Sequence, residues 1–162
     1  MSMDFYKNKE LQLEQVLPLV EEQLAQGKTV RFYPRGVSML PMLRENIDSV
    51  VLASVPPELE RFDLPLYRRD DGQFILHRIV RVEGDTYTCV GDNQLVLEPG
   101  VRRDQMVALV TGFYRGERYH SVTEPGYRIY CRLHHTIRSL RRFWRRGWGW
   151  LRRHLRSRKP GV

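Results

Sequence analysis

The stretch Gln73-Phe74-Ile75-Leu76-His77-Arg78-Ile79-Val80-Arg81-Val82 decides how the chain is read. Alternation places Phe74, Leu76, Arg78 and Val80 on one face, and Ile75, His77, Ile79 and Arg81 on the other. A period of two predicts a strand. Asp70-Asp71-Gly72 precedes the stretch and Glu83-Gly84-Asp85 follows it. Both are tight-turn signals, because glycine accepts a positive φ. They join the strand to DLPLYRR (63–69) on one side and TYTCVG (86–91) on the other. Further strands are predicted at KTVRFYPR (28–35), DSVVLA (48–53) and QMVALVTGFYR (105–115). No helix-period segment separates them, so the body is expected to be mainly β and antiparallel.

Outward from that body, both ends turn helical. Residues 10–26 place Leu13, Val16, Leu17, Val20 and Leu24 at spacings of three and four, with Pro18 inside the run and Gly27 as a stop. After Pro125, Tyr130, Leu133, Ile137, Leu140, Trp144, Trp148, Leu151 and Leu155 recur at helical spacing, and arginines fill much of the remainder. This predicts a basic amphipathic C-terminal helix, interrupted near Gly147 and Gly149. The expected division is a β domain with its N-terminal helix over 1–124 (core 28–118) and a helical tail over 125–162.

Charge follows the same division. The chain has 162 residues and a net charge of +8. Residues 1–124 hold all 19 acidic residues and 15 of the 27 Lys and Arg; the tail holds the other twelve and no acid. A mildly acidic body with a strongly basic tail predicts an anionic partner for the tail: phospholipid, nucleic acid or the body itself. Trp144, Trp148 and Trp150 among the arginines favour an anionic membrane surface, met through 127–158. Nucleic acid is less favoured, since phosphate contacts need no apolar stripe.

The longest stretch without a charged residue, Gln105 to Tyr114, has ten residues, whereas a spanning helix needs about 20. The opening MSMDFYKNKE has no apolar core of the secretory kind. A cytoplasmic protein, peripheral at the membrane, is expected. Cys89 and Cys131 are too few for a disulfide framework or a cysteine zinc site, and no metal or cofactor is implied.

Three segments carry candidate chemistry. In Gly36-Val37-Ser38-Met39-Leu40-Pro41 a serine follows a strand, with Gly two positions before it and Pro three after. Such a loop presents a hydroxyl with fixed aim, but the hydroxyl needs a neighbouring base. His77, between two isoleucines, is either a structural histidine or that base. Gly91-Asp92-Asn93 reads as a turn at a strand end, and Glu98 lies six residues beyond Asp92. Either carboxylate could orient an imidazole and stabilise its protonated form.

Taken in order, SM-x-P, then LHRIV, then GDN, then a Val-rich strand before Gly112-Phe113 resemble the signal peptidase I and self-cleaving repressor superfamily of serine peptidases. The likeness runs from about Lys28 to Arg118 and is nearest to the branch pairing Ser with His. It implies a signal-peptidase-like β fold and a serine endopeptidase cleaving an extended peptide or protein segment with small residues at the scissile bond. The nucleophile falls on Ser38 and the base on His77; the acidic positions map to Asp92 and Glu98, the second being Asp in the family. The oxyanion would meet backbone N–H groups at Ser38 and Gly36, and Met39 and Pro41 would contact substrate.

The sequence departs from the family in three places. Gly36 replaces a frequent Ser, Asn46-Ile47-Asp48 replaces a Gly-Asp turn, and a charged amphipathic segment stands where signal peptidases carry their anchor. The alternative reading is a catalytically silent module of the same fold, whose basic tail engages membrane or nucleic acid.

Overall fold

The computed structural model of the protein describes residues 3–4 and 13–138. Among these residues are two mainly antiparallel sheets and two α-helices. The larger sheet runs β1 (Met3–Asp4), β2 (Val30–Phe32), β3 (Ser49–Ala53), β9 (Met106–Arg115), β4 (Pro65–Arg68), β5 (Phe74–Leu76), with β10 (Arg118–Ser121) also paired to β9. The β1–β2 contact alone is parallel. The smaller sheet is β6 (Arg78–Glu83), β7 (Thr86–Val90), β8 (Glu98–Arg102). Helix α1 (Leu13–Ala25) precedes the strands, and helix α2 covers 125–138.

Both sheets cover apolar cores. Val20 and Leu24 of α1 pack with Val30, Val50, Leu52, Leu66 and Val110 of the large sheet. Met39, Met42 and Leu43 join this core and anchor the loop that carries Ser38. A second core holds Leu59, Tyr67, Ile79, Tyr87, Cys89 and Val101. Helix α1 continues through Pro18 and ends where the Gly27 and Lys28 N–H groups bond Leu24 and Gln23 carbonyls, a Schellman-type stop. The start of that segment, 10–12, lies outside the described residues.

The segment 73–82 is not the single strand its alternation predicts. It breaks at His77: β5 pairs with β4 in the large sheet, and β6 pairs with β7 in the small one. Leu76, His77, Arg78 and Ile79 are consecutively buried, at 8%, 4%, 3% and 0% exposure. Alternation fails here because the chain passes between two cores, and both of its faces are covered. His77 therefore sits at the seam between the sheets. Three further strands were not predicted from the sequence: β1, β8, which contains Pro99 and Gly100, and the short edge strand β10.

The start of the basic tail is packed on the body. Pro125 opens α2, a position where its missing N–H costs nothing. Tyr127 and Tyr130 pack against the large core, and Cys131 is buried. The tail's Trp144, Trp148 and Trp150, and all of 139–158, lie outside the described residues.

Candidate active site

Three chain segments meet around Gly91. A β-carbon placed on Gly91 would stand 2.7 Å from the Ser38 carbonyl oxygen, 3.1 Å from Ser38 Cβ and 3.1 Å from His77 Nε2. No side chain fits there, so this glycine is required for close approach. The same geometry sets Ser38 Cβ and His77 Nε2 each 3.1 Å from one point. The turn also grips the serine loop directly. Asn93 N–H donates to the Ser38 carbonyl at 2.8 Å, and Asn93 Nδ2 donates to the Val37 carbonyl at 3.2 Å. Ser38 Oγ itself makes no hydrogen bond among the described residues.

The other ring nitrogen faces an acid. His77 Nδ1 lies 3.6 Å from Glu98 Oε2 and 3.4 Å from the Tyr67 hydroxyl. At 3.6 Å the Glu98 contact is too long for a hydrogen bond, and it becomes an ion pair only when the ring is protonated. Glu98 is held in place by others: Tyr67 O–H donates to Oε2 at 2.7 Å, and Arg69 Nε and Nη2 form a bidentate pair at 2.5 and 2.6 Å. Burial alone would push the Glu98 carboxyl up; Arg69 and Tyr67 outweigh it and hold it below the ordinary carboxylate value. Burial lowers the His77 pKa below 6.5, Glu98 opposes that shift and Arg69 adds to it. The ring is thus neutral near pH 7, the state in which Nε2 accepts a proton.

Asp92 does something else. Its carboxylate forms a bidentate pair with Arg78, Nε to Oδ1 at 2.9 Å and Nη2 to Oδ2 at 2.8 Å, with both side chains 3% exposed. Arg78 Nη1 also donates to the Phe62 carbonyl, the Tyr127 hydroxyl and Cys131 Sγ. Burial works against its charge, but Asp92 more than offsets this and Arg78 stays protonated. Of the two acidic candidates, Glu98 alone faces the imidazole.

Two other expectations meet a different arrangement. The Gly36 N–H donates to Glu45 Oε1 at 2.7 Å, so it is engaged in closing its own loop and does not point to an oxyanion. The Ser38 N–H makes no bond among the described residues. Met39 is 4% exposed in the large core, so its side chain anchors the loop and does not line a substrate surface; Pro41 is exposed. Asn46 takes φ 60°, a left-handed conformation that asparagine tolerates better than most residues. Asp48 then turns inward, where Arg44 and the Gly116 N–H hold its carboxylate.

Sequence reading missed Tyr67, Arg69 and Asn93 as supports. Tyr67 and Arg69 stand two apart in DLPLYRR, which places them on one strand face, a usable signal. Which partner they face across the sheet was not legible.

Compared with known proteins, the chain matches no family model and no curated protein. Among the described residues no cluster of His, Cys, Asp or Glu could hold a metal ion, and no helix is long and apolar enough to cross a membrane.

Proposed function

We propose that the protein is a serine endopeptidase of signal-peptidase-like type. Ser38 Oγ attacks the scissile carbonyl and passes its proton to His77 Nε2. The protonated ring returns that proton to the leaving amine, and water then hydrolyses the acyl-serine with His77 again as base. Glu98, fixed by Arg69 and Tyr67, favours the imidazolium through space. The Ser38 N–H is the backbone donor available to the oxyanion. The observation that carries this reading is the approach of Ser38 and His77 Nε2 to the same point over Gly91, with Nδ1 turned to Glu98. The substrate is an extended peptide segment added beside a strand edge.

A second reading keeps the fold and omits turnover. It is favoured by Gly36, which lacks a hydroxyl and whose N–H is engaged by Glu45. In either reading an anionic membrane surface is the partner proposed for the tail. Ile129, Leu133 and Ile137 form an outward stripe on α2, 55%, 58% and 48% exposed, beside the exposed Arg128 and Arg132. An apolar stripe flanked by arginines suits a lipid interface.

A fluorophosphonate probe separates the two readings. The wild type is expected to be labelled at Ser38, with labelling lost in Ser38→Ala and nearly lost in His77→Ala. A double variant should be little worse than either single one, because the two groups act as a unit. Equal labelling of Ser38→Ala and wild type sinks the peptidase reading.

A further inference from the structure

Sequence composition sets the C-terminal tail apart from the body, yet α2 reaches the chain segments that shape the site. Asp92 is gripped by α2 at two atoms. Tyr130 O–H donates to Oδ2 at 3.1 Å, and His134 Nε2 bonds the Asp92 main-chain carbonyl at 2.7 Å. Tyr127 and Cys131 meet the Asp92 partner, Arg78, at 2.7 and 3.1 Å. Each of those two body residues is the immediate neighbour of a site residue. Arg78 follows His77, and Asp92 lies between Gly91, which faces Ser38 and His77, and Asn93, which bonds the Ser38 carbonyl. A helix that fixes Asp92 and Arg78 therefore fixes the distance between nucleophile and base.

We propose that α2 is a positioning strap of the serine site, with Tyr130 and His134 as positioning residues. This rests on the serine-peptidase reading. Neither residue touches substrate or the reacting atoms. They act through the 91–93 turn, which lies against both Ser38 and His77 Nε2, so its displacement moves nucleophile and base relative to each other. Misplacement of reacting groups by about 1 Å costs on the order of a hundredfold in rate. The Arg78–Asp92 pair joins the segment after His77 to the turn, and Asn93 joins the turn to the serine loop. The helix supplies the third point of attachment, at the main-chain carbonyl of Asp92.

The test uses the full-length protein and two readouts. The first is the rate of fluorophosphonate labelling of Ser38 over a range of probe concentrations, which separates probe binding from the chemical step. The second is the NMR titration of the His77 ring, which needs no turnover. Tyr130→Phe and His134→Ala are expected to slow the chemical step about tenfold or more with probe affinity unchanged, and to shift the His77 titration. His134→Gln, which keeps a donor for the Asp92 carbonyl, should recover part of the loss. Thr136→Ala, on the same helix and bonded only to the Arg132 carbonyl, should leave both readouts unchanged. Wild-type labelling rates in both Tyr130→Phe and His134→Ala would overturn the strap. So would a slow rate that the Thr136→Ala control shares. If the wild type is not labelled at all, the peptidase reading fails, and the His77 titration alone decides. A titration unmoved in both variants overturns the strap; a moved one retains it as a device that positions His77.

Discussion

Asp92 and Glu98 are six residues apart, and each carries a bidentate arginine, yet their surroundings give them different work. Asp92 and Arg78 are both 3% exposed, closed in by Phe62, Tyr127, Tyr130 and Cys131. Glu98 and Arg69 are 24% and 34% exposed, and Glu98 keeps an oxygen toward His77. The buried pair joins two chain segments and a helix. The half-buried pair leaves a charge beside an imidazole. Each carboxylate accepts three hydrogen bonds, two from its arginine and one from a tyrosine, so position separates them: Glu98 Oε2 stands 3.6 Å from His77 Nδ1, and Asp92 is enclosed on the other side of the 91–93 turn by α2.

The largest expected effect comes from breaking the enclosed pair. Asp92→Ala leaves Arg78 charged and unpaired in the interior, a loss of about 3–5 kcal/mol. Domain stabilities are about 5–15 kcal/mol, so this threatens the fold. Removing both partners as Arg78→Met with Asp92→Leu should cost less than Asp92→Ala alone. Urea unfolding of the single and double variants checks this, and a double variant weaker than the single would contradict it.

Glu98→Gln probes the other pair, with the emphasis reversed. Its stability loss should be about 1 kcal/mol, since solvent screens the Arg69 contact. Its effect on Ser38 labelling should be on the order of a hundredfold, because the charge that favours imidazolium is gone. The pH profile sharpens the contrast. Labelling in the wild type should fall as pH drops through a His77 pKa that lies below 6.5. Glu98 raises that pKa, so Glu98→Gln should move the inflection to lower pH. Asp92 also raises it, but is the smallest of the named influences, so a well-folded Asp92 variant should move it less. An inflection that shifts more with Asp92 than with Glu98 would reverse the assignment.

The smallest expected effect on the fold lies on the outer face of α2. Leu133→Gln removes an exposed side chain and should change stability by less than about 0.5 kcal/mol. Flotation with anionic vesicles should nevertheless weaken, and unchanged flotation would remove the stripe from the membrane contact.

Much of this molecule was legible along the chain. Periodicity alone located α1 and the strands at 30–32, 49–53, 65–68, 86–90 and 106–115, because local alternation reflects which face of each element meets a core. Gly72 marked the β4–β5 turn, where φ is 88°. The residues Ser38, His77, Gly91 and Glu98 were visible as an ordered set of short motifs. Tertiary structure alone decided the rest. The break at His77 is invisible to a two-residue period, since each face of Leu76–Ile79 carries one apolar and one polar residue and only packing between two sheets buries all four. Which of Asp92 and Glu98 stands beside His77 is set by where the fold carries each carboxylate. The first turns of the tail look detached by charge, yet their tyrosines and Cys131 complete a buried ion pair beside the candidate site, and His134 bonds the Asp92 carbonyl. Sequence determines what each segment is able to bury and to bond; the partner it buries against, and so the chemistry left exposed, is set only when distant segments close on one another.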